Sequence, residues 1–248
     1  MKARSKTLSW YIIWGIIAAV ILSIFSGFVF SLPIWQLKEV IINGNKYFTE
    51  EKIINIAKLP SGENIFLIDP DEIKARFSNI IQIKELRVSR KLPNKIVIDI
   101  IERKPFAIAV IDNLTTLIDD EGFIISKQNL ASSIYRLDIA KYPVVRGISR
   151  KNLEKGIQLF SNDREFMSSA INLMSNFMDI GSIQIDLANK DDIVIYIEDI
   201  IKVKIGNTND IERKIKIVNV LLGKITGKWE KVSYIDVRVP DNPVIRFK

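Results

Sequence analysis

With 248 residues, 48% of them apolar, the chain is long enough for a membrane segment plus one large or two small globular domains. It contains no Cys and no His, which excludes a disulfide framework, a thiolate nucleophile and Cys-ligated metal, and removes the commonest general base and transition-metal ligand. The net charge is +7, but three of the positive charges fall in the first six residues, and the 33 basic and 29 acidic residues after Ser31 form no long basic run. That distribution describes a solvated surface and not a nucleic-acid-binding stripe.

Leu8 to Phe30 is a run of 23 residues without a charge. As a helix it spans roughly 34 Å, against a hydrocarbon core of about 30 Å. A cleavable signal peptide would carry an apolar region of roughly 7–15 residues followed by small residues, whereas this run is longer and ends in Gly27-Phe28-Val29-Phe30. An uncleaved transmembrane helix is therefore expected over residues 8–30, behind a tail of residues 1–7. Lys2, Arg4 and Lys6 precede it without an acid among them, so the positive-inside rule places the tail in the cytoplasm and the bulk of the chain on the far side. Trp10, Tyr11, Trp14 and Trp35 sit where interfacial aromatic belts belong.

Beyond the anchor, Leu37 to Ile42 reads as a strand closed by Asn43-Gly44-Asn45. Thr49 caps a helix with Ile53, Ile54 and Ala57 on its apolar face and Ile56 at the margin. Pro60-Ser61-Gly62 ends it, and Asp69-Pro70 opens a second helix through Ile73 and Phe77. Strands Glu85 to Arg90 and Lys95 to Glu102 follow, joined by Lys91-Leu92-Pro93-Asn94, the second with Ile96, Ile98 and Ile100 at period two. The order is strand, helix, helix, strand, strand.

From Phe106 onward short strands recur: Phe106 to Ile111, Thr115 to Ile118, Phe123 to Ser126, Ser182 to Leu187, Ile193 to Ile197, Lys202 to Ile205, Val232 to Val237 and Val244 to Phe247. Turns at Asp112-Asn113 and Glu121-Gly122 imply mainly antiparallel pairing. Two helices interrupt them. One, near Asp163 to Met178, buries Phe166, Ala170, Leu173, Met174 and Phe177; the other, near Asp210 to Ile225, carries Ile211, Ile215, Val218, Leu222 and Ile225 on one stripe.

Several of these residues fall into a known pattern. Val88, Arg90, Pro93, Ile96, Ile98, Glu102-Arg103, Pro105 and Ala107 resemble the end of the POTRA domain of the FtsQ/DivIB family of bacterial division proteins, which closes on Glu-Arg-x-Pro-x-Ala. Asp119 to Gly122 is similar to that family's Asp-x-x-Gly hairpin, Tyr142 to Gly147 to its Leu-Pro-x-x-x-Gly segment, and Val232 to Arg238 to its C-terminal strand motif. The resemblance covers the chain from anchor to end. It implies a membrane-anchored α+β protein, with a POTRA domain over residues 36–105 and a mainly antiparallel β domain with two helices over 106–248. It also implies a single-pass inner-membrane location at the division septum, and a scaffold role in the divisome, supporting septal cell-wall synthesis without catalysis, cofactor, metal, nucleic acid or small-molecule substrate. Many members carry a long cytoplasmic tail, and some a Pro-rich C-terminal one; this sequence shows neither.

Each residue cluster that invites a chemical role also has a plainer reading. Asp119-Asp120-Glu121 is the densest acidic group, yet fits an ordinary hairpin turn, as does Asp191-Asp192. Glu102-Arg103-Lys104 reads as charges that pair or face solvent at a domain junction, and Lys214, beside Arg213 and Lys216, as part of a solvated helix face. What remains is binding. The strand from about Pro243 to Lys248 ends the sequence, so it is expected at a sheet edge, where its backbone groups can pair with another chain. The resemblance implies capture there of a strand from the division protein FtsB, itself bound to FtsL, by Arg238, Val239, Val244, Ile245, Arg246 and Phe247. Two rivals share parts of the pattern: an outer-membrane assembly or secretion factor built on POTRA units, and a carboxylate-dependent cell-wall hydrolase.

Overall fold

An unbroken apolar run with no internal polar periodicity forms one long helix, α1 (Arg4–Phe30). Its stretch Trp10–Phe30, mean hydropathy 2.5, is long and apolar enough to cross a membrane and is not buried against the rest of the protein. The computed structural model describes residues 4–112, 114–126, 142–150, 153–154 and 158–248, so Lys2 and Asn113 lie outside the described residues. Contacts divide the chain into two units, Met1–Glu102 and Arg103–Lys248.

In the first unit, β1 (Glu39–Asn43) is followed by α2 (Glu50–Ala57) and α3 (Pro70–Phe77), then by β2 (Ile83–Lys91) and β3 (Lys95–Glu102). Both helix starts follow from the sequence. Thr49 accepts the Lys52 N–H at 3.3 Å, and Asp69 accepts the Asp71 N–H at 2.9 Å with Pro70 in the first turn. The sheet order is β1-β3-β2, with β1 parallel to β3, an arrangement that needs a crossover; α2 and α3 supply it. Ile96, Ile98 and Ile100 are all buried, as their period-two spacing requires, and so are Ile53 and Ala57 of α2 and Ile73 and Phe77 of α3. One expectation fails here: Ile54 is 43% exposed. So short a helix buries only the i, i+4 stripe of Ile53 and Ala57, and the neighbouring position turns outward.

Among the described residues, the second unit is built on a nine-stranded sheet. In chain order its elements are β4 (Ala107–Ile111), β5 (Leu114–Ile118), β6 (Ile124–Ser126), β7 (Val144–Ile148), the small pair β8 (Leu153–Glu154) and β9 (Gln158–Leu159), and α4 (Arg164–Phe177). Then come β10 (Ile183–Asp186), β11 (Ile193–Ile197), β12 (Ile201–Gly206), α5 (Ile211–Lys224), β13 (Val232–Asp236) and β14 (Val244–Phe247). The order across the large sheet is β14-β13-β12-β11-β10-β7-β4-β5-β6. Five of its eight neighbouring pairs are antiparallel, so the sheet is mainly antiparallel, as the turns imply. The parallel pairs are β4 with β7, β7 with β10, and β12 with β13. Crossover helices account for two of them, α4 for β7 to β10 and α5 for β12 to β13.

The interior strand β7 carries no clear strand signal of its own in the sequence. Pro143 and Gly147 interrupt its pattern, and only Val145 and Ile148 are buried. Its place is set by two parallel partners and not by its own periodicity. Both helices cover one face of the sheet: Phe166, Leu173 and Phe177 of α4 and Ile215, Val218 and Leu222 of α5 share one core with Ile185, Ile195, Val203 and Ile235. Alternation sends Tyr196, Lys202, Lys204 and Tyr234 to the opposite face.

Candidate partner-binding edge

Among the described residues β14 is the outermost strand of the sheet. It pairs antiparallel with β13 through Val232↔Phe247, Tyr234↔Arg246, Ile235↔Ile245 and Asp236↔Val244. The Lys248 N–H donates to the Lys231 carbonyl at 2.8 Å. Because strand N–H groups alternate in direction, those of Ile245 and Phe247 then point away from β13, toward the open side. The edge therefore presents a short row of backbone donors and acceptors beyond the last ladder.

The candidate residues divide into two places. Val244, Ile245, Arg246 and Phe247 form the strand itself, and Arg238 and Val239 begin the connection that precedes it. Ile245 packs against the common core. Phe247 shares its face by period two and pairs with the buried Val232, yet is 54% exposed. The two side chains therefore do not act as one inward pair, contrary to a strict alternation. Val244, Arg246 and Val239 are exposed, and Arg246 stands opposite Tyr234, whose ring lies 4.2 Å from the Lys204 ammonium.

The connection is braced from below. Arg238 donates from Nε and Nη2 to the Asp236 carboxylate, at 3.0 Å and 2.7 Å, and its backbone N–H reaches the same group at 3.1 Å. Burial alone would raise the Asp236 carboxyl, but these bonds and the charges of Arg238 and Lys204 outweigh it and hold the group below its ordinary value. Lys214 contradicts its expected place on a solvated face. It is 2% exposed, and its ammonium donates to the carbonyl and side-chain oxygen of Asn207 at 2.9 and 3.2 Å, tying α5 to the end of β12. Burial lowers its pKa, against the opposing pull of Asp210. The stripe of charged neighbours conceals this position, since a long side chain can satisfy its head group locally while its stem is covered.

Two family models match, "POTRA domain, FtsQ-type" over residues 36–103 and "Cell division protein FtsQ/DivIB, C-terminal" over residues 107–238. The chain belongs to the FtsQ/DivIB family of cell division proteins. It is similar to the cell division protein DivIB of Clostridium tetani (strain Massachusetts / E88), 28% identical over 235 residues, which cover 92% of this chain and 85% of that one. It is also similar to the cell division protein FtsQ of Rickettsia bellii (strain RML369-C), 42% identical over 93 residues, 38% of this chain and 35% of that one. FtsQ of Rickettsia conorii (strain ATCC VR-613 / Malish 7) is 33% identical over 126 residues, 45% and 47% of the two chains. Arg238 is the last residue the family model matches, so β14 lies beyond it.

The motifs that carry the FtsQ/DivIB resemblance have structural work in this chain. Glu102, 6% exposed, accepts the N–H groups of Tyr47 and Phe48 at 2.7 and 3.0 Å, closing the first unit on its last residue. Arg103 pairs with Asp119 and Glu121 and lies 3.7 Å from the centroid of Phe123. Asp119 in turn accepts the N–H groups of Glu121 and Phe123 at 3.0 and 2.8 Å, so the acidic cluster organises a turn around a buried carboxylate. Gly147 has φ +75°, and a Cβ there would fall 2.3 Å from Asp186 Oδ1 and 2.4 Å from the Ala188 nitrogen. Only glycine lets β7 approach β10 that closely. Among the described residues, no group of three or more acidic side chains is placed to hold a metal ion.

Proposed function

We propose that this division protein is a non-enzymatic scaffold held in the inner membrane by residues 8–30, with the tail of residues 1–7 in the cytoplasm. Two folded parts, a POTRA domain over 36–105 and a β domain over 106–248, then stand on the far side, at the division septum. Its β14 edge takes up a strand from FtsB bound to FtsL, and through them joins the septal cell-wall synthesis complex. The observation that supports this reading is the position of β14: the last strand of the sheet, open on one side, with exposed Val244, Arg246 and Phe247 along it. Backbone groups at such an edge supply affinity for any extended chain, and the side chains select which one. The non-enzymatic reading is favoured by the roles of the acidic clusters, whose best-buried member, Asp119, is committed to Arg103 and two backbone amides.

Titrating the full chain, reconstituted in nanodiscs, with the FtsB–FtsL pair tests the edge. A large aromatic at an interface carries about 2 kcal/mol or more, and about 1.4 kcal/mol corresponds to tenfold in affinity, so Phe247→Ala should weaken binding roughly thirtyfold. Ile245→Pro should do worse, because it removes an outward N–H and its ring obstructs the incoming strand. Unchanged affinity in both variants would place the partner elsewhere. Cleavage of peptidoglycan by the purified chain would overturn the non-enzymatic reading.

A further inference from the structure

The first unit carries an apolar prominence that partner capture at β14 does not use. In the connection from α2 to α3, Ile65 and Ile68 are 0% and 5% exposed, whereas Phe66 and Leu67 between them stand out at 37% and 73%. This is not a slack loop. Arg90 of β2 donates from Nε to the Ile65 carbonyl at 2.9 Å and from Nη2 to the Ile68 carbonyl at 2.7 Å. The Ile65 N–H donates to the Trp35 carbonyl at 2.8 Å, and the Phe66 N–H to Asn64 Oδ1 at 3.0 Å. Two apolar side chains are thus held outward by a brace that leaves them little freedom to retract.

The same loop touches the end of the membrane helix. Asn64 Nδ2 donates to the Phe30 carbonyl at 2.5 Å and Trp35 Nε1 to the Val29 carbonyl at 2.7 Å, in the last turn of α1, where intrahelical donors run out. The Phe66 ring meets both Phe30 and Trp35 edge-on, each with centroids 5.2 Å apart. Trp10–Phe30 is 21 residues long, or roughly 31 Å as a helix against a hydrocarbon core of about 30 Å. Phe30 therefore lies at the boundary of that core, and Phe66 lies there by direct contact.

We propose that Phe66 and Leu67 form a wedge seated at the headgroup–acyl boundary of the leaflet from which the chain emerges, fixing this domain against the bilayer. The surface is a lipid-binding one. Its aromatic members sit at the level where aromatic belts form, and its rigidity means that little ordering remains to oppose insertion. The inference rests on α1 as a membrane anchor and is independent of what β14 binds.

The absence of cysteine makes the test clean, since each introduced thiol is the only one. The full chain, spin-labelled singly at Leu67→Cys, Ile101→Cys or Ile21→Cys, is reconstituted in phosphatidylethanolamine–phosphatidylglycerol vesicles. Collision with oxygen, which concentrates in lipid, is then compared with collision with a water-soluble nickel chelate. Ile101 is 52% exposed near the far end of β3, roughly 20 Å along the strand from Lys95, and should read as aqueous. Ile21, within the anchor, should read as lipid. Residue 67 should resemble Ile21, with an oxygen preference several-fold above that of residue 101, and adding Phe66→Ser should move it toward the aqueous value. A label at 67 as aqueous as the one at 101, with residue 21 still in lipid, overturns the wedge alone; a loop reserved for a protein partner would give that result. An aqueous reading at residue 21 would remove the anchor, and the wedge with it.

Discussion

Replacing Arg103 by Met leaves the Asp119 carboxylate inside the second unit without its cation, and the cost follows from how deeply the pair is set. The side chains of Asp119 and Arg103 are 1% and 11% exposed, so solvent screens their attraction little. Glu121, the second acid on the same guanidinium, is 41% exposed and contributes under about 1 kcal/mol. Removing one partner of a buried pair costs about 3–5 kcal/mol. The lower end applies, since Asp119 keeps the amide bonds from Glu121 and Phe123. Asp119→Asn preserves an acceptor for those amides and leaves Arg103 with Glu121, so it should cost about 1–2 kcal/mol. With both changes no unpaired charge stays buried, and the loss should fall short of the sum of the single losses by about 1–2 kcal/mol. Urea unfolding of the full chain in detergent micelles, followed by far-UV circular dichroism, measures all three. A loss below about 1 kcal/mol for Arg103→Met, or strict additivity in the double variant, would refute the view that this pair is a buried and coupled one.

Glu102→Ala leaves the Tyr47 and Phe48 amides without their acceptor and should lower the stability of the first unit by about 1–3 kcal/mol; Glu102→Gln, which keeps an acceptor, should cost visibly less in the same urea titration. The lowered pKa of Asp236 means that its bonds stabilise the Arg238 turn above the ordinary value of 3.8, a contribution lost as pH falls through the folded value. Hydrogen exchange should therefore find the Arg238 amide protected at about pH 5 and loosening in more acid solution. Replacing Lys2, Arg4 and Lys6 by Glu removes about 1 kcal/mol per basic residue near an anionic leaflet and should scramble orientation. A periplasm-only reporter placed after Lys248 would then lose signal, and one that keeps full signal would show that the tail charges do not decide topology.

The helix starts were legible because they depend on a few adjacent residues: Thr49 and Asp69 accept the amides their positions suggest. The edge position expected for β14 is the one it takes in the sheet order. What Phe247 does there was not legible: period two puts it on the face of Ile245, yet it is 54% exposed. The wedge at Phe66 and Leu67 carries no periodic signal. It exists because Arg90, more than twenty residues further on, clamps the loop.

Sequence by itself determined the apolar helix, the strand–helix–helix–strand–strand unit, the period-two core of Ile96, Ile98 and Ile100, and the absence of cysteine and histidine chemistry. Each is set by composition or by residues within one or two turns of each other, where sterics, alternation and capping act without long-range help. Tertiary structure alone decided that Val144–Ile148 becomes an interior strand between two parallel neighbours, that Lys214 is buried on Asn207, and that Asp119 is the buried partner of Arg103. In each of these the partner is distant in sequence or its burial is settled by packing. A side chain's own identity and immediate neighbours do not encode the partner that tertiary packing brings to it.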